Sequence, residues 1–336
     1  MPGLPERWLK LVLARPQPSL SHLYGEALRL VGARGMRTEG THLVAVFPAP
    51  DDPSELTGTA AAAIRSFTGE EPKVEGWTQR SLEEQRAIWR ASMRAWRISE
   101  RVEVVPAGGD ADPEAARPSR EPDAATLAGR ELTIRIQPSP AFGAGDHPTT
   151  RVCLRLLERT LAPGDEVVDV GTGSGILAIG AALLGASRVR AFEADALAHA
   201  AAAENVLANR VGDRVELRHA RIGPGQPELL GNTIGALANL ETALVLSILP
   251  DLRTAIGAEG WMIVSGIPGG ERSAVRESAE SLALDLHDQD EEDGWWGAVL
   301  RPRAAAEPAG EGPGEGRRLN PVSSAERCVA PRVECG

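Results

Sequence analysis

The residues of this chain best suited to chemistry are grouped around the run Asp169-Val-Gly171-Thr-Gly173-Ser-Gly175. The apolar strand candidate EVVDV (Glu166–Val170) leads into it, and the apolar stretch Ile176–Leu184, closed by Gly185, follows as a helix. Glycines in a strand-to-helix turn open backbone dihedrals closed to other residues and let a ligand approach without meeting a Cβ. A dinucleotide turn of the form GxGxxG would carry its third glycine at 176, where this chain has Ile176. Dinucleotide sites also aim helix amides at a pyrophosphate, a group that an adenosyl sulfonium lacks. The turn therefore favours S-adenosylmethionine, with a nicotinamide-dependent dehydrogenase as a distant third reading. Asp169 lies two residues before the first glycine, where its carboxylate can anchor the turn or hold an amino-acid moiety.

The next strand candidate, Arg188–Glu193, ends in an acid suited to accept hydrogen bonds from ribose hydroxyls. Either class of nucleoside cofactor would use it. Asp195, two residues on, is ambiguous between ligand contact and structure. Asn239 ends a later strand, where open parallel sheets bind ligands. Its amide can accept a bond from a substrate amine, or it can serve only its own turn. Upstream, PAFGAGDHPTT (Pro140–Thr150) reads as a loop hinged at glycines, with Phe142 and Gly143 placed to fold over a bound cofactor. His147 in that loop reads as a structural hydrogen-bonding residue before a general base.

The elements that must position these groups form two blocks. The C-terminal block, residues 130–302, alternates strands and helices: Val215–His219, Gly235–Asn239 and Trp261–Ser265 are further strands, and a helix after Asn239 runs through Leu249. This spacing implies a doubly wound parallel sheet. The N-terminal block, residues 1–106, has strand candidates at Trp8–Ala14 and His42–Phe47, and helices at Leu20–Val31, Pro53–Phe67 and Leu82–Met93. A β-α-β-β-α-β order, a ferredoxin-like α+β layer, is expected there. Residues 107–129, rich in Pro, Asp and Ala, read as a linker, and residues 303–336 as a disordered tail.

Of the 336 residues, 42% are hydrophobic and 25% charged, as in ordinary globular proteins. The net charge of -11 argues against direct nucleic-acid binding, which needs a concentrated basic surface. No apolar run is long enough for a membrane span and no signal peptide is visible, so a cytoplasmic protein is expected. Cys153, Cys328 and Cys335 are too scattered for a disulfide framework or a zinc site.

Taken together, AFGAGDHPTT, VVDVGTGSGILAIGAALLGASRV, AFEAD, ENVLAN, ALANL and IVSGI resemble, in order, the PrmA family of bacterial ribosomal-protein methyltransferases. The resemblance spans about Ile134 to Val299, roughly half the chain. It implies a Rossmann-like class I methyltransferase sheet of seven strands, with a small N-terminal domain that docks the eleventh protein of the large ribosomal subunit. It also places cofactor contacts at Thr150, Gly171, Glu193 and Asn239, in a pocket completed by Asp169, Gly173 and Gly175. The chain departs from the family at Glu193, where Asp is usual, and at Asn239-Leu240-Glu241-Thr242, where the family reads Asn-Ile-Leu-Ala. Gln137-Pro138-Ser139 stands in place of Asp-Pro-Gly.

The chemistry implied is in-line displacement by a neutral amine of a lysine or of the N-terminus. Asn239 would orient the amine, with Glu241 as an accessory acceptor. Burial lowers a lysine pKa and positioning supplies effective molarity, so neither a metal nor a covalent enzyme intermediate is expected. Two alternatives stand beside this reading: a methyltransferase of the same fold acting on another protein or a small molecule, and a cofactor-binding protein that has lost catalysis. The oligomeric state is not legible.

Overall fold

A computed structural model of the chain describes residues 5–107, 131–137, 139 and 142–303. The expected linker, apart from Ala107, and the expected tail, apart from Arg303, lie outside the described residues. The N-terminal elements are β1 (Arg7–Ala14), α1 (Ser21–Leu30), β2 (Gly35–Glu39), β3 (His42–Pro48), α2 (Pro53–Thr68), β4 (Val74–Ser81) and α3 (Leu82–Ser92). The four strands form an antiparallel sheet in the order β2-β3-β1-β4. Alternation along β1 turns Leu9, Leu11 and Leu13 to one face, where they are buried with Tyr24 and Leu28 of α1 and Ala60 and Ile64 of α2. The expected β-α-β-β-α-β order is present. Its β2 (GMRTE) and β4 (VEGWTQRS) are the edge strands, and β4 has no fully buried residue. A capping box between Ser81 and Glu84 starts α3, and Trp89 of that helix meets Trp8 edge-on at 5.3 Å.

A second, three-stranded sheet joins β5 (Trp96–Arg97), β6 (Val102–Pro106) and β7 (Leu132–Ile136), with β6 and β7 parallel. The third sheet carries the site. Its elements are α4 (Pro148–Thr160), β8 (Glu166–Val170), α5 (Ile176–Leu184), β9 (Arg188–Glu193), α6 (Ala196–Ala208), β10 (Val215–His219), α7 (Pro227–Leu230), β11 (Gly235–Asn239), α8 (Thr242–Ala255), β12 (Trp261–Pro268), α9 (Arg272–Ser281), β13 (Leu284–Glu292) and β14 (Trp295–Pro302). The strand order is β10-β9-β8-β11-β12-β14-β13. The first five strands are parallel, and β14 is antiparallel to both of its neighbours. Strand order reverses between β8 and β11, which makes their carboxyl ends the crevice of the sheet. No helix among the described residues is long and apolar enough to cross a membrane.

Two expectations need correction. Pro148, Thr149 and Thr150 do not belong to a loop but form the first turn of α4, because His147 caps the helix and Pro148 occupies a position where the missing N–H costs nothing. The helix after Asn239 does not stop at Leu249. It continues through Pro250 to Ala255, since burial of Leu252 and Ala255 outweighs the one hydrogen bond that proline removes.

Strand β13 (LDLHDQDEE) escapes a hydrophobic reading because charge covers its inner face. Arg151, Arg155 and Arg159 recur every four residues on α4, about 6 Å apart along the axis, while alternate residues of a strand repeat at about 6.7 Å. The two rows match. Arg155 grips Asp290 with two bonds of 2.9 and 3.0 Å and Glu292 with one of 2.7 Å. Arg151 bonds Glu292 at 2.7 Å and Arg159 bonds Asp288 at 2.9 Å. Burial raises the Asp290 and Glu292 carboxyls, but the arginines outweigh it and hold both below the usual range. Their stabilisation is therefore present above the usual carboxylate range and is lost as pH falls through the lowered values.

An Arg155→Met substitution should cost about 2 kcal/mol of folding stability at neutral pH, between the values for exposed and fully buried pairs. The cost should shrink at a pH below the usual carboxylate range, where the partner carboxylates take up protons. Urea midpoints at the two pH values check this, and an equal loss at both would contradict it.

Candidate active site

Strand β8 delivers Asp169 into the core at 1% exposure. Its carboxylate accepts a 2.6 Å bond from the Thr172 hydroxyl, which ties the strand end to the turn that follows. Burial pushes Asp169 up to about 7; the Thr172 hydroxyl opposes this, the Glu193 charge adds to it, and the Ala178 backbone amide opposes it again. Asp169 thus ties the end of β8 to the glycine turn.

The turn itself closes on the neighbouring strand. The amides of Gly171 and Thr172 both donate to the Phe192 carbonyl, at 2.9 and 3.0 Å. Gly171, Gly173 and Gly175 all have positive φ, at 71°, 57° and 84°. At two of them space is as restrictive as the dihedral. A Cβ on Gly171 would stand 2.5 Å from Leu240 Cδ2, and one on Gly173 would stand 2.7 Å from the Phe142 carbonyl oxygen. Gly175 is the left-handed residue from which α5 departs.

Ser174, between the last two glycines, binds the upstream loop through its backbone N–H and its hydroxyl. The N–H donates to the Phe142 carbonyl at 2.9 Å, and the hydroxyl donates to the Gly143 carbonyl at 2.6 Å. Its own carbonyl accepts from Asn205 Nδ2 at 2.8 Å. Asn205 Oδ1 in turn accepts the Gln137 amide at 2.7 Å, and Asn209, one turn further along α6, accepts the Arg135 amide at 2.8 Å. Phe142 and Gly143 are thus fixed onto the turn, as a covering loop requires. Ser174 and the two asparagines were missed as positioning residues. Their signal lay in the quoted strings GTGSG and ENVLAN, where polar residues stand at fixed spacing among small or apolar ones.

Glu193 ends β9 half-buried. One carboxylate oxygen accepts the Gly173 amide at 2.9 Å and the other accepts the Asp195 amide at 2.8 Å. Each oxygen keeps a lone pair for another donor. Asp195 resolves as the N-cap of α6, accepting from the amides of Leu197 and Ala198, and it pairs with Arg34 of the N-terminal sheet region. A second pair, Arg86 with Glu204, joins α3 to α6. His147 caps α4, its Nδ1 2.8 Å from the Thr149 hydroxyl, and its ring lies 5.1 Å from both the Phe142 and Trp295 rings. Burial lowers its pKa.

Thr150 and Asn239 behave differently. Both are buried at their polar tips, and neither the Thr150 hydroxyl nor Asn239 Oδ1 has a hydrogen-bond partner. Unpaired buried oxygens cost free energy unless a ligand satisfies them. With the glycine cradle, they form a seat that fits a nucleoside cofactor carrying an amino-acid tail. Glu241 stands exposed at the head of α8 and makes no capping bond. A cavity of about 540 Å³ opens beside the covering loop, walled by Phe142, Asp146 and His147 on one side and by Met36, Trp89 and Trp96 on the other.

Sheet order, glycine turn and strand-end acid together define a Rossmann-like methyltransferase fold. Residues 25–302 match the family model described as ribosomal protein L11 methyltransferase (PrmA), and the chain belongs to that family. Among its relatives, the ribosomal protein L11 methyltransferase of Symbiobacterium thermophilum is 37% identical over 210 residues, 62% of each chain. That of Bacillus cereus is 30% identical over 279 residues, 78% of this chain and 80% of its own. The chain thus spans less than two thirds of the Symbiobacterium relative's length and four fifths of the Bacillus one. The solved ribosomal protein L11 methylase of Lactobacillus delbrueckii subsp. bulgaricus superimposes with a TM-score of 0.53 at 26% identity, covering 63% of this chain and 100% of that one.

Because the folded pKa of Asp169 is raised from 3.8 to about 7, its contribution to stability is full below pH 3.8 and is lost as pH rises toward 7. An Asp169→Asn variant escapes that loss. The difference in urea midpoint, variant minus wild type, should grow in the variant's favour between about pH 4 and pH 7; a flat difference would contradict the assignment.

Proposed function

We propose that this chain is an S-adenosylmethionine-dependent methyltransferase that modifies lysine side-chain or N-terminal amines of ribosomal protein L11. The observation that carries this reading is the unpartnered Oδ1 of Asn239, buried at the carboxyl end of β11 beside the cofactor turn. S-adenosylmethionine, when bound, supplies a methyl group activated by its positive sulfur. The residues of the chain do the rest. Gly171 and Gly173 leave room for the ligand, Glu193 holds the ribose hydroxyls, Thr150 satisfies a polar group of the tail, and the Phe142–Gly143 loop keeps water away. Asn239 Oδ1 accepts an N–H of the incoming amine and so aims its lone pair. Glu241 serves as the accessory proton acceptor at the exposed end of the same turn.

The N-terminal block, residues 1–106, is the recognition domain in this reading. Its Met36, Trp89 and Trp96 face the covering loop across the cavity, a wall suited to a protein segment reaching the turn. The family resemblance supports L11 as that partner, and a ribosomal acceptor implies the cytoplasm as the place of reaction.

Incubating purified L11 with labelled S-adenosylmethionine and the enzyme should transfer label to L11 amines, mapped by mass spectrometry. Asn239→Ala should lower kcat/KM about 100-fold, the scale of a lost transition-state hydrogen bond. Cofactor binding by a wild type that labels no L11 would move the acceptor to another protein or mark a binder without turnover.

A further inference from the structure

The turn from β11 to α8 ends on a residue that the reaction described above does not use. Thr242 is the first helical residue of α8, and its hydroxyl is buried without a partner, like Asn239 Oδ1 three residues earlier. A threonine inside a helix commonly bonds the carbonyl four residues back, as Thr254 does to Pro250 at 3.0 Å. For Thr242 that carbonyl belongs to Ala238, still within the parallel ladder of β11 and β12, and the hydroxyl is left over. Between the two orphaned oxygens, Leu240 lies against Gly171, so the whole turn abuts the cofactor seat. Two unsatisfied oxygens on one four-residue turn are costly to the ligand-free protein.

We propose that Thr242 is a second positioning residue for the acceptor amine, forming with Asn239 a clamp of two oxygens; this rests on the amine methyltransferase reading. A neutral primary amine has two N–H bonds and one lone pair. If Asn239 Oδ1 and Thr242 Oγ each accept one N–H, the lone pair is left pointing away from both, free for attack. As the N–C bond forms from that pair, the C–S bond breaks and its electrons stay on sulfur, which becomes a neutral thioether. The product is an ammonium that sheds one proton, to Glu241 or to water, before any further transfer. A monomethylated amine keeps a single N–H, so it needs one acceptor and gains little from the second. Thr242 therefore acts on the first methyl transfer and biases the enzyme toward unmodified acceptors.

The test compares wild type, Thr242→Ala and Thr242→Ser on L11 peptides carrying unmodified or monomethylated lysine, with S-adenosylmethionine affinity measured by calorimetry. In Thr242→Ala, kcat/KM for the unmodified peptide should fall about tenfold, near the value of one hydrogen bond. The fall should be twofold or less for the monomethylated peptide, with cofactor affinity unchanged. Thr242→Ser should restore wild-type behaviour. Equal losses on both peptides, no loss on either, or a parallel loss of cofactor affinity would overturn the clamp. A wild type inactive on any amine would instead overturn the function on which it rests, and with it the inference.

Discussion

The site depends on how Ser174 is held. Through its amide, hydroxyl and carbonyl, this one residue ties the glycine turn to the Phe142–Gly143 loop and to Asn205 of α6. The Phe142 contact brings that carbonyl too close for a side chain at 173, where glycine stands. Replacing the serine by alanine leaves the Gly143 carbonyl without its partner, a cost of about 1–3 kcal/mol for a buried polar group. The turn is therefore rigid on one side, and its open side is left for the ligand.

A second constraint runs through the domain around it. Helix rows spaced at four residues lie against strand rows spaced at two, because the two repeats are nearly equal in length. On α4 the match is electrostatic, with arginines against the acids of β13. On α6 it is a pair of amides, Asn205 and Asn209, that accept the backbone amides of Gln137 and Arg135. The first fixes the helix carrying Thr150; the second fixes the strand leading to the covering loop. Both wings of the seat are thus aligned by polar pairing, and the apolar core beneath needs to supply only mass.

How much of this was legible in the sequence follows from the same physics. The parallel strands EVVDV and RVRAFE, the glycine turn and Gly185 as the end of α5 were readable, because buried strands are apolar and tight turns demand glycine. Glu193 and Asn239 end the strands that the sequence predicts for them, and Asp169 stands two residues before the first glycine of the turn. Strands β13 and β14 were not: β13 satisfies its inner face with carboxylates, and hydrophobic pattern is blind to that. The edge strand β4 buries too little to leave a pattern. The stop expected at Pro250 failed because tertiary burial overrode a local rule. Thr242 was noticed only as a departure; its significance depends on an atom having no partner, which no string of letters records.

The most direct measurement is calorimetric titration of S-adenosylmethionine into wild type and into Gly171→Arg, with circular dichroism to establish that both are folded. Saturable one-site binding to wild type, abolished in the variant, is the expected result, since any side chain at 171 meets Leu240 at the floor of the seat. Absence of binding to folded wild type, or equal binding to both proteins, would contradict the assignment of the cofactor to this turn.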